Sequence, residues 1–223
     1  MKVAIVGGTA GLGYGLALRL AAAGTSVAIG SRKADKAADA ARLVSEGVPG
    51  SPKVTSGVNE EVAAGADLVV VTVPYPGLVA TYELIKPHLS PGAVVLDCNV
   101  ALASEVGGKA TRLIGVWEGS TAQQAKAILG KDVAVAAGFH TVVAGLLQDL
   151  SRELDSDILV CGDPVAKEAV AELVAKIKGA RFVDCGPLER ARLLEGLAAL
   201  MIGINIKHKL DPGAGIRITG LPV

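Results

Sequence analysis

Lys2-Val3-Ala4-Ile5-Val6-Gly7-Gly8-Thr9-Ala10-Gly11-Leu12-Gly13, residues 2–13, is an apolar run that empties into a glycine-rich turn. Residues 3–6 read as a strand, and the Ala/Leu-rich stretch 11–23 reads as a helix that begins inside the turn. A strand, a glycine turn and a helix in that order are the context a dinucleotide fingerprint requires. Glycines let the backbone approach a pyrophosphate, and the free N–H groups of the helix start carry a partial positive charge toward it. Gly8, Thr9, Ala10, Gly11, Leu12 and Gly13 are therefore candidate cofactor contacts, Thr9 adding a hydroxyl for phosphate. Gly8 and Gly13 keep the register of the fingerprint, whereas Ala10 stands where its second glycine is usual.

A second strand is expected at residues 26–29, after Gly24 ends the first helix. Its end selects the cofactor. An Asp or Glu there would accept the ribose hydroxyls of NAD, and residues that bind phosphate replace it for NADP. The chain reads Gly30-Ser31-Arg32-Lys33, with Lys36 one turn on. Ser31 can donate a hydrogen bond to a 2′-phosphate, Arg32 can grip it or stack on adenine, and Lys36 adds charge on the same face. Cations disfavour the positive end of a helix, so a merely solvated basic start is the weaker explanation.

Strand-like and helical stretches keep alternating beyond this point, which predicts an α/β fold, a Rossmann-like doubly wound parallel sheet with a small carboxyl-terminal appendage. Further strands are expected at residues 67–73, 93–96, 133–137, 157–160 and 182–184. Helices are expected at 34–45, 78–86, 121–129, 164–178 and 187–209. Residues 48–55 read as a connection and 100–119 as a long functional loop. A dinucleotide-binding domain over residues 1–138 is followed by a smaller region, 139–223, that completes the site.

Composition narrows the rest. The chain has 223 residues, 51% of them hydrophobic and 20% charged, with 22 basic residues against 22 acidic ones. No net field draws it to nucleic acid or an anionic membrane. No charged leader or spanning apolar stretch is evident, so a cytoplasmic location is expected. Cys98, Cys161 and Cys185 lack metal-ligand spacing and read as buried structural thiols, and no metal site is expected.

Ligands of doubly wound sheets sit outside the carboxyl ends of strands. Thr72-Val73-Pro74-Tyr75 and Asp97-Cys98-Asn99-Val100 end two expected strands, and Pro74 joins the candidate contacts. Ala137-Gly138-Phe139-His140-Thr141-Val142-Val143-Ala144 ends a third. His140 reads equally as a structural histidine or as a positioning group. No Ser/His/Asp group, paired carboxylate or zinc spacing is present. Hydride transfer between two ring cofactors requires none of these, because the protein mainly positions the rings.

Taken in order, GGTAGLG, GSRKADK, TVPY, GFHTVVA, VCGD and DCGPLERARLLE resemble the NADP-dependent oxidoreductases of the deazaflavin coenzyme F420, over essentially the whole chain. The resemblance implies hydride transfer between NADP(H) and F420 with the rings stacked and no essential catalytic acid or base. It implies that Thr9, Ser31, Arg32 and Lys36 contact NADP, with Val100 and Ala144 on the nicotinamide side. His140 and Val142 fall on the segment that receives the deazaflavin, and Leu210 in the tail closes the pocket. Ala10, TVPYPG without a tryptophan, and Val143 in place of proline depart from the family's pattern.

Two other functions fit the same fingerprint: an NADP-dependent reductase of a small imine, keto acid or flavin-linked metal, and a non-catalytic NADP-sensing module. Leu193, Leu194, Leu197, Leu200, Met201 and Ile204 fall at helical spacing in the last helix and read as core or as the surface of a homodimer. Lys207, His208 and Lys209 suit either a solvated helix end or the anionic tail of F420.

Overall fold

The computed structural model describes residues 1–48, 50 and 54–221. Within the connection expected at 48–55, residues 49 and 51–53 lie outside the described residues. Eight strands form one sheet in the order β3-β2-β1-β4-β5-β6-β7-β8. They are β1 (Lys2–Val6), β2 (Ser26–Ser31), β3 (Thr55–Val58), β4 (Leu68–Val71), β5 (Val94–Asp97), β6 (Ala134–Gly138), β7 (Ser156–Gly162) and β8 (Ala180–Asp184). The helices are α1 (Gly11–Ala22), α2 (Ala34–Gly47), α3 (Asn59–Ala63), α4 (Leu78–Ile85), α5 (Thr121–Leu129), α6 (Ala144–Gln148), α7 (Pro164–Val174) and α8 (Ala191–His208). Among the described residues no helix is long and apolar enough to cross a membrane.

The continuous apolarity of the strands follows from helices on both faces. Val3, Ile5, Val27, Ile29, Leu68, Val70 and Leu96 face α1 and α2, together with Leu16, Leu20 and Val44. Their neighbours Ala4, Val6, Ala28, Val69, Val71 and Val95 face the opposite way, onto Leu78, Tyr82 and Ile85 of α4 and Ala125 of α5. Alternate residues of each strand thus enter different cores, so slipping the register by one would exchange the two sets. The order 3-2-1-4-5-6 reverses direction between β1 and β4, which opens a crevice outside their carboxyl ends.

Beyond β6 the sheet departs from the all-parallel expectation. β7 runs antiparallel to β6, pairing Ala137 with Cys161, and β8 runs parallel to β7. The close approach depends on Gly162. Its φ is +148°, and a Cβ there would stand 2.5 Å from the Val135 carbonyl oxygen. A side chain at that position would push the two strands apart.

The tail is tied to the same sheet. Asp157, with a fully buried side chain, accepts hydrogen bonds from Arg181 Nε (2.9 Å) and Nη2 (2.7 Å), Arg217 Nη1 (3.0 Å) and the Ile218 N–H (2.7 Å). The Arg181 guanidinium holds its carboxyl down at about 2. Its own N–H donates to the Ile216 carbonyl.

Candidate functional site

The glycine turn owes its shape to each position separately. Gly7 (φ +79°) and Gly11 (φ +53°) adopt the left-handed conformation that L side chains rarely accept. Gly8 and Gly13 are needed for lack of room, since a Cβ on Gly8 would lie 2.9 Å from the Ile5 carbonyl oxygen and one on Gly13 2.4 Å from Thr72 Oγ1. Ala10 sits at φ −157°, ψ 173°, extended backbone open to any residue. The departure from the fingerprint therefore falls where no conformational demand exists.

Ala10 is the N-cap of α1 and no side chain caps it, so the first intrahelical bond is that of the Tyr14 N–H to the Ala10 carbonyl. The N–H groups of Gly11, Leu12 and Gly13 precede that first bond and so have no intrahelical partner. Such an end attracts an anion.

A cleft of about 500 Å³ opens over this turn. Thr9, Ala10, Gly11 and Leu12 line it from the turn, Ser31, Arg32 and Lys36 from the end of β2, and Pro74 from the end of β4. Eight of the residues named from sequence thus share one cavity, and Gly8 and Gly13 shape its floor. Arg32 and Lys36 are exposed, and neither makes a salt bridge among the described residues. Two unneutralised cations at the mouth of a cleft whose floor is a helix N-terminus make a site for a polyanion.

Several lining residues escaped the candidate contacts. Asn59, 1% exposed, accepts a hydrogen bond from the Gly7 N–H at 3.3 Å and so braces the turn from α3. Gly30 allows this, because a Cβ on it would meet Asn59 Oδ1 at 2.9 Å. Pro76, Gly77 and Thr81 complete the wall. The only sequence signal for Asn59 is a polar residue directly after a strand, a position that also suits an ordinary helix start.

Val100, His140, Val142, Ala144 and Leu210 lie outside this cleft. Val100 and His140 nevertheless emerge at the same sheet edge, because β5 and β6 run parallel with Asp97 opposite Ala137. Ala144 opens α6, which packs on α1 closely enough that a Cβ on Gly15 would meet Leu147 Cβ at 2.6 Å and the Ala144 carbonyl at 3.3 Å. Gln148 Nε2 donates to the Gly11 carbonyl at 3.0 Å, joining this segment to the turn. Leu210 follows the end of α8, 44% exposed, and the tail beyond it brings Pro212 and Gly213 against Gly145 and Val143.

His140 is a polar group of this second region that has no protein partner among the described residues. The residue is partly exposed, yet both ring nitrogens are buried and neither makes a hydrogen bond among the described residues. Burial pushes its pKa down to about 4, so it is a neutral imidazole at physiological pH. Phe139, just before it, adopts φ +65°, strain that a buried aromatic residue tolerates only where its surroundings impose it. A neutral imidazole with unmet hydrogen-bonding capacity suits a polar ring placed against it.

The cysteines are inert by environment. Cys98 and Cys161 are buried and Cys185 half-buried, all as free thiols. Burial pushes the Cys161 thiol up to about 12 and the Cys98 thiol well above its usual value.

Comparison with known proteins is consistent with this geometry. Residues 2–101 match the family model for NADP oxidoreductase, coenzyme F420-dependent. The chain is 42% identical to an F420-dependent NADP reductase of Methanothermobacter thermautotrophicus, over all of this chain and 96% of the relative. It is 40% identical to one of Methanocaldococcus jannaschii over the full length of both. A solved structure from Arthrobacter sp. fb24, provisionally described as an F420-dependent NADP-reductase, superimposes with a TM-score of 0.80 at 26% identity, covering 98% of this chain and all of that one. An imine reductase from Bacillus cereus shares the fold alone, at TM-score 0.57 and 18% identity, with 92% of this chain covering 59% of that one. With identity of this order along the entire length, the chain belongs to the family of F420-dependent NADP reductases.

Proposed function

We propose that this chain transfers a hydride reversibly between NADP(H) and coenzyme F420. The observation that carries the NADP half is the cleft in which the uncapped start of α1 and the unpaired Arg32 and Lys36 converge. The full-length relatives, named for both substrates, support the pairing with F420. When both are bound, the rings supply the chemistry, a hydride passing between C4 of the nicotinamide and C5 of the deazaflavin.

The protein's part is placement. Gly11, Leu12 and Gly13 offer N–H groups to the pyrophosphate, and Ser31, Arg32 and Lys36 hold the 2′-phosphate. Pro74, Val100 and Ala144 border the nicotinamide. His140, neutral and without a partner, and Val142 receive the deazaflavin, with Leu210 and the tail closing over it. In this reading residues 1–138 hold NADP and residues 139–223 complete the second pocket. The exposed Leu193, Leu200 and Ile206 of α8, 60%, 57% and 64% accessible, support a homodimer built on that helix. Three free thiols suit a reducing cytoplasm. The relatives' names favour neither the small-acid reductase nor the sensing module.

Arg32→Ala tests the reading. Losing one charge-assisted phosphate contact, about 1.5–3 kcal/mol, should lower kcat/KM for NADPH roughly 10- to 100-fold and leave NADH use unchanged, followed by the deazaflavin absorbance. Equal losses with both nucleotides would remove Arg32 from the 2′-phosphate.

A further inference from the structure

Beside the second pocket lie two carboxyl groups that the hydride transfer does not use. Asp97 ends β5 and is 0% exposed, and Glu195 of α8 is 4% exposed. Neither makes a salt bridge among the described residues. They meet at one hydroxyl. Thr121 Oγ1 stands 2.9 Å from Glu195 Oε1, 3.1 Å from Asp97 Oδ1 and 3.0 Å from the Asn99 carbonyl oxygen. A hydroxyl has one proton to donate, and three acceptors surround it. With both carboxyls ionised, two of these contacts would set lone pairs against each other in a dry site. A proton on either carboxyl lets that group donate to Thr121 Oγ1, which then donates onward.

The remaining contacts fix what this junction holds. Asp97 Oδ1 accepts the Asn99 N–H at 2.8 Å, and Asp97 Oδ2 accepts the Tyr82 hydroxyl. Asn99 Nδ2 donates to the Val71 carbonyl at 3.2 Å, and Glu195 Oε1 accepts the Thr121 N–H at 2.9 Å. Three elements, β5, α5 and α8, are thereby clamped around Asn99, whose successor is Val100.

We propose that Asp97 and Glu195 hold a single proton between them through Thr121, and that this shared proton positions Asn99 and Val100 as a wall of the hydride-transfer pocket. The pair acts through Asn99 and touches neither substrate. Its positioning role rests on the proposed function, whereas the shared proton does not.

Burial drives both groups the same way. It raises the Asp97 carboxyl and pushes Glu195 up to about 8, Asp97 adding to the Glu195 shift. The other titratable group facing Glu195 is Cys161 of β7, itself held as a thiol. β6 brings no titratable side chain, and Lys126 of α5 is engaged with Asp163. Glu189 and Arg190, in the turn before α8, and Arg112 in the preceding loop are exposed. A group whose pKa rises from 4.5 unfolded to about 8 folded makes the fold lose stability as pH climbs through that window and level off above it.

Difference infrared spectroscopy at pH 7 on the whole protein tests the proton directly. The wild type should show the carbonyl stretch of a buried carboxylic acid, and both Glu195→Gln and Asp97→Asn should lower the pH at which it disappears, because the surviving carboxyl, though still buried, no longer faces a second negative charge. A wild type without the band, or a band whose pH dependence is unchanged in either variant, overturns the shared proton. Thermal melts of wild type and Glu195→Gln from pH 5 to 9 give a second reading. The wild-type Tm should fall toward pH 8 more steeply than the variant's, and parallel curves would count against the proposal. If a variant does not fold, Thr121→Val replaces it: with no hydroxyl to donate to the ionised carboxyl, the band should change frequency and persist to higher pH, and a band unchanged in both respects overturns Thr121 as the bridge. The wild-type KM for F420 should rise above pH 8 and that of Glu195→Gln should not. An unchanged alkaline limb in the variant would remove the positioning role, and absence of turnover in the wild type would sink the proposed function while the infrared band still decides the proton.

Discussion

Replacing Arg19 by Met should loosen the second pocket from the dinucleotide turn. The Arg19 side chain leaves α1 only 7% exposed and, among the described residues, meets no carboxylate within salt-bridge distance. Its guanidinium instead donates to four carbonyls, those of Leu147 (2.9 Å), Arg152 (2.7 Å), Leu146 (2.6 Å) and Asp149 (2.6 Å). These are the carbonyls at and after the end of α6, where a cation complements the helix dipole. Burial lowers the Arg19 pKa, the sign of a charge held at a cost in solvation. Methionine keeps much of the stem's volume and removes every donor. One bond is fully buried, and its loss is worth about 2–3 kcal/mol. The other three are reachable by water and worth roughly 0.5–1 kcal/mol each, giving a total of about 3.5–6 kcal/mol. With an m-value of about 2 kcal/mol/M, the urea midpoint should fall by roughly 2–3 M. Arg19→Lys, which cannot fork to four acceptors, should fall between the two. Because α6 closes the segment carrying His140 and Val142, the KM for F420 should rise well beyond that for NADPH. A midpoint shift worth under 1 kcal/mol, or equal rises in both KM values, would refute the claim that Arg19 holds α6 in place.

Two further outcomes follow from contacts elsewhere. Asp157, held down at about 2 against an ordinary 3.8, contributes stability that is complete above pH 3.8 and lost as pH falls toward 2. Asp157→Asn should remove that acid dependence from a Tm-against-pH series and expose the tail to protease at neutral pH, and an unaltered acid limb would exclude the Arg181–Asp157–Arg217 tie as its source. Gly13→Ala forces a Cβ to 2.4 Å from Thr72 Oγ1 and 2.9 Å from Gly8 Cα. Overpacking of this kind should destabilise by about 1–3 kcal/mol and weaken NADPH binding measured by fluorescence titration, and wild-type behaviour would mean that the turn shifts freely.

Local chemistry made the first half of the molecule legible. An apolar run, a glycine turn and the basic end of the next strand are contiguous features, and each states its own backbone or charge requirement. The eight candidate residues from Thr9 to Pro74 accordingly line one cleft. The imperfection at Ala10 was visible in sequence, but its harmlessness depends on a φ that no residue code reveals.

The second half obeys longer-range terms. β7 alternates with helices as a parallel strand would, yet it pairs antiparallel with β6, at an approach that the missing side chain of Gly162 permits. α6 is too short for helical periodicity to register, and it persists because a guanidinium 128 residues away in the chain accepts the task of capping it. Asp97, Thr121 and Glu195 carry no motif, since a charged residue in an apolar stretch looks the same whether it faces solvent or another carboxyl. Sequence by itself determined the fold class and the cleft of glycines and cations over α1, because propensity, glycine conformation and charge act between near neighbours. Tertiary structure alone decided strand direction, the clamp on α6 and the shared proton, because each arises from groups far apart in the chain brought together out of water, where a single unmet hydrogen bond or charge is expensive.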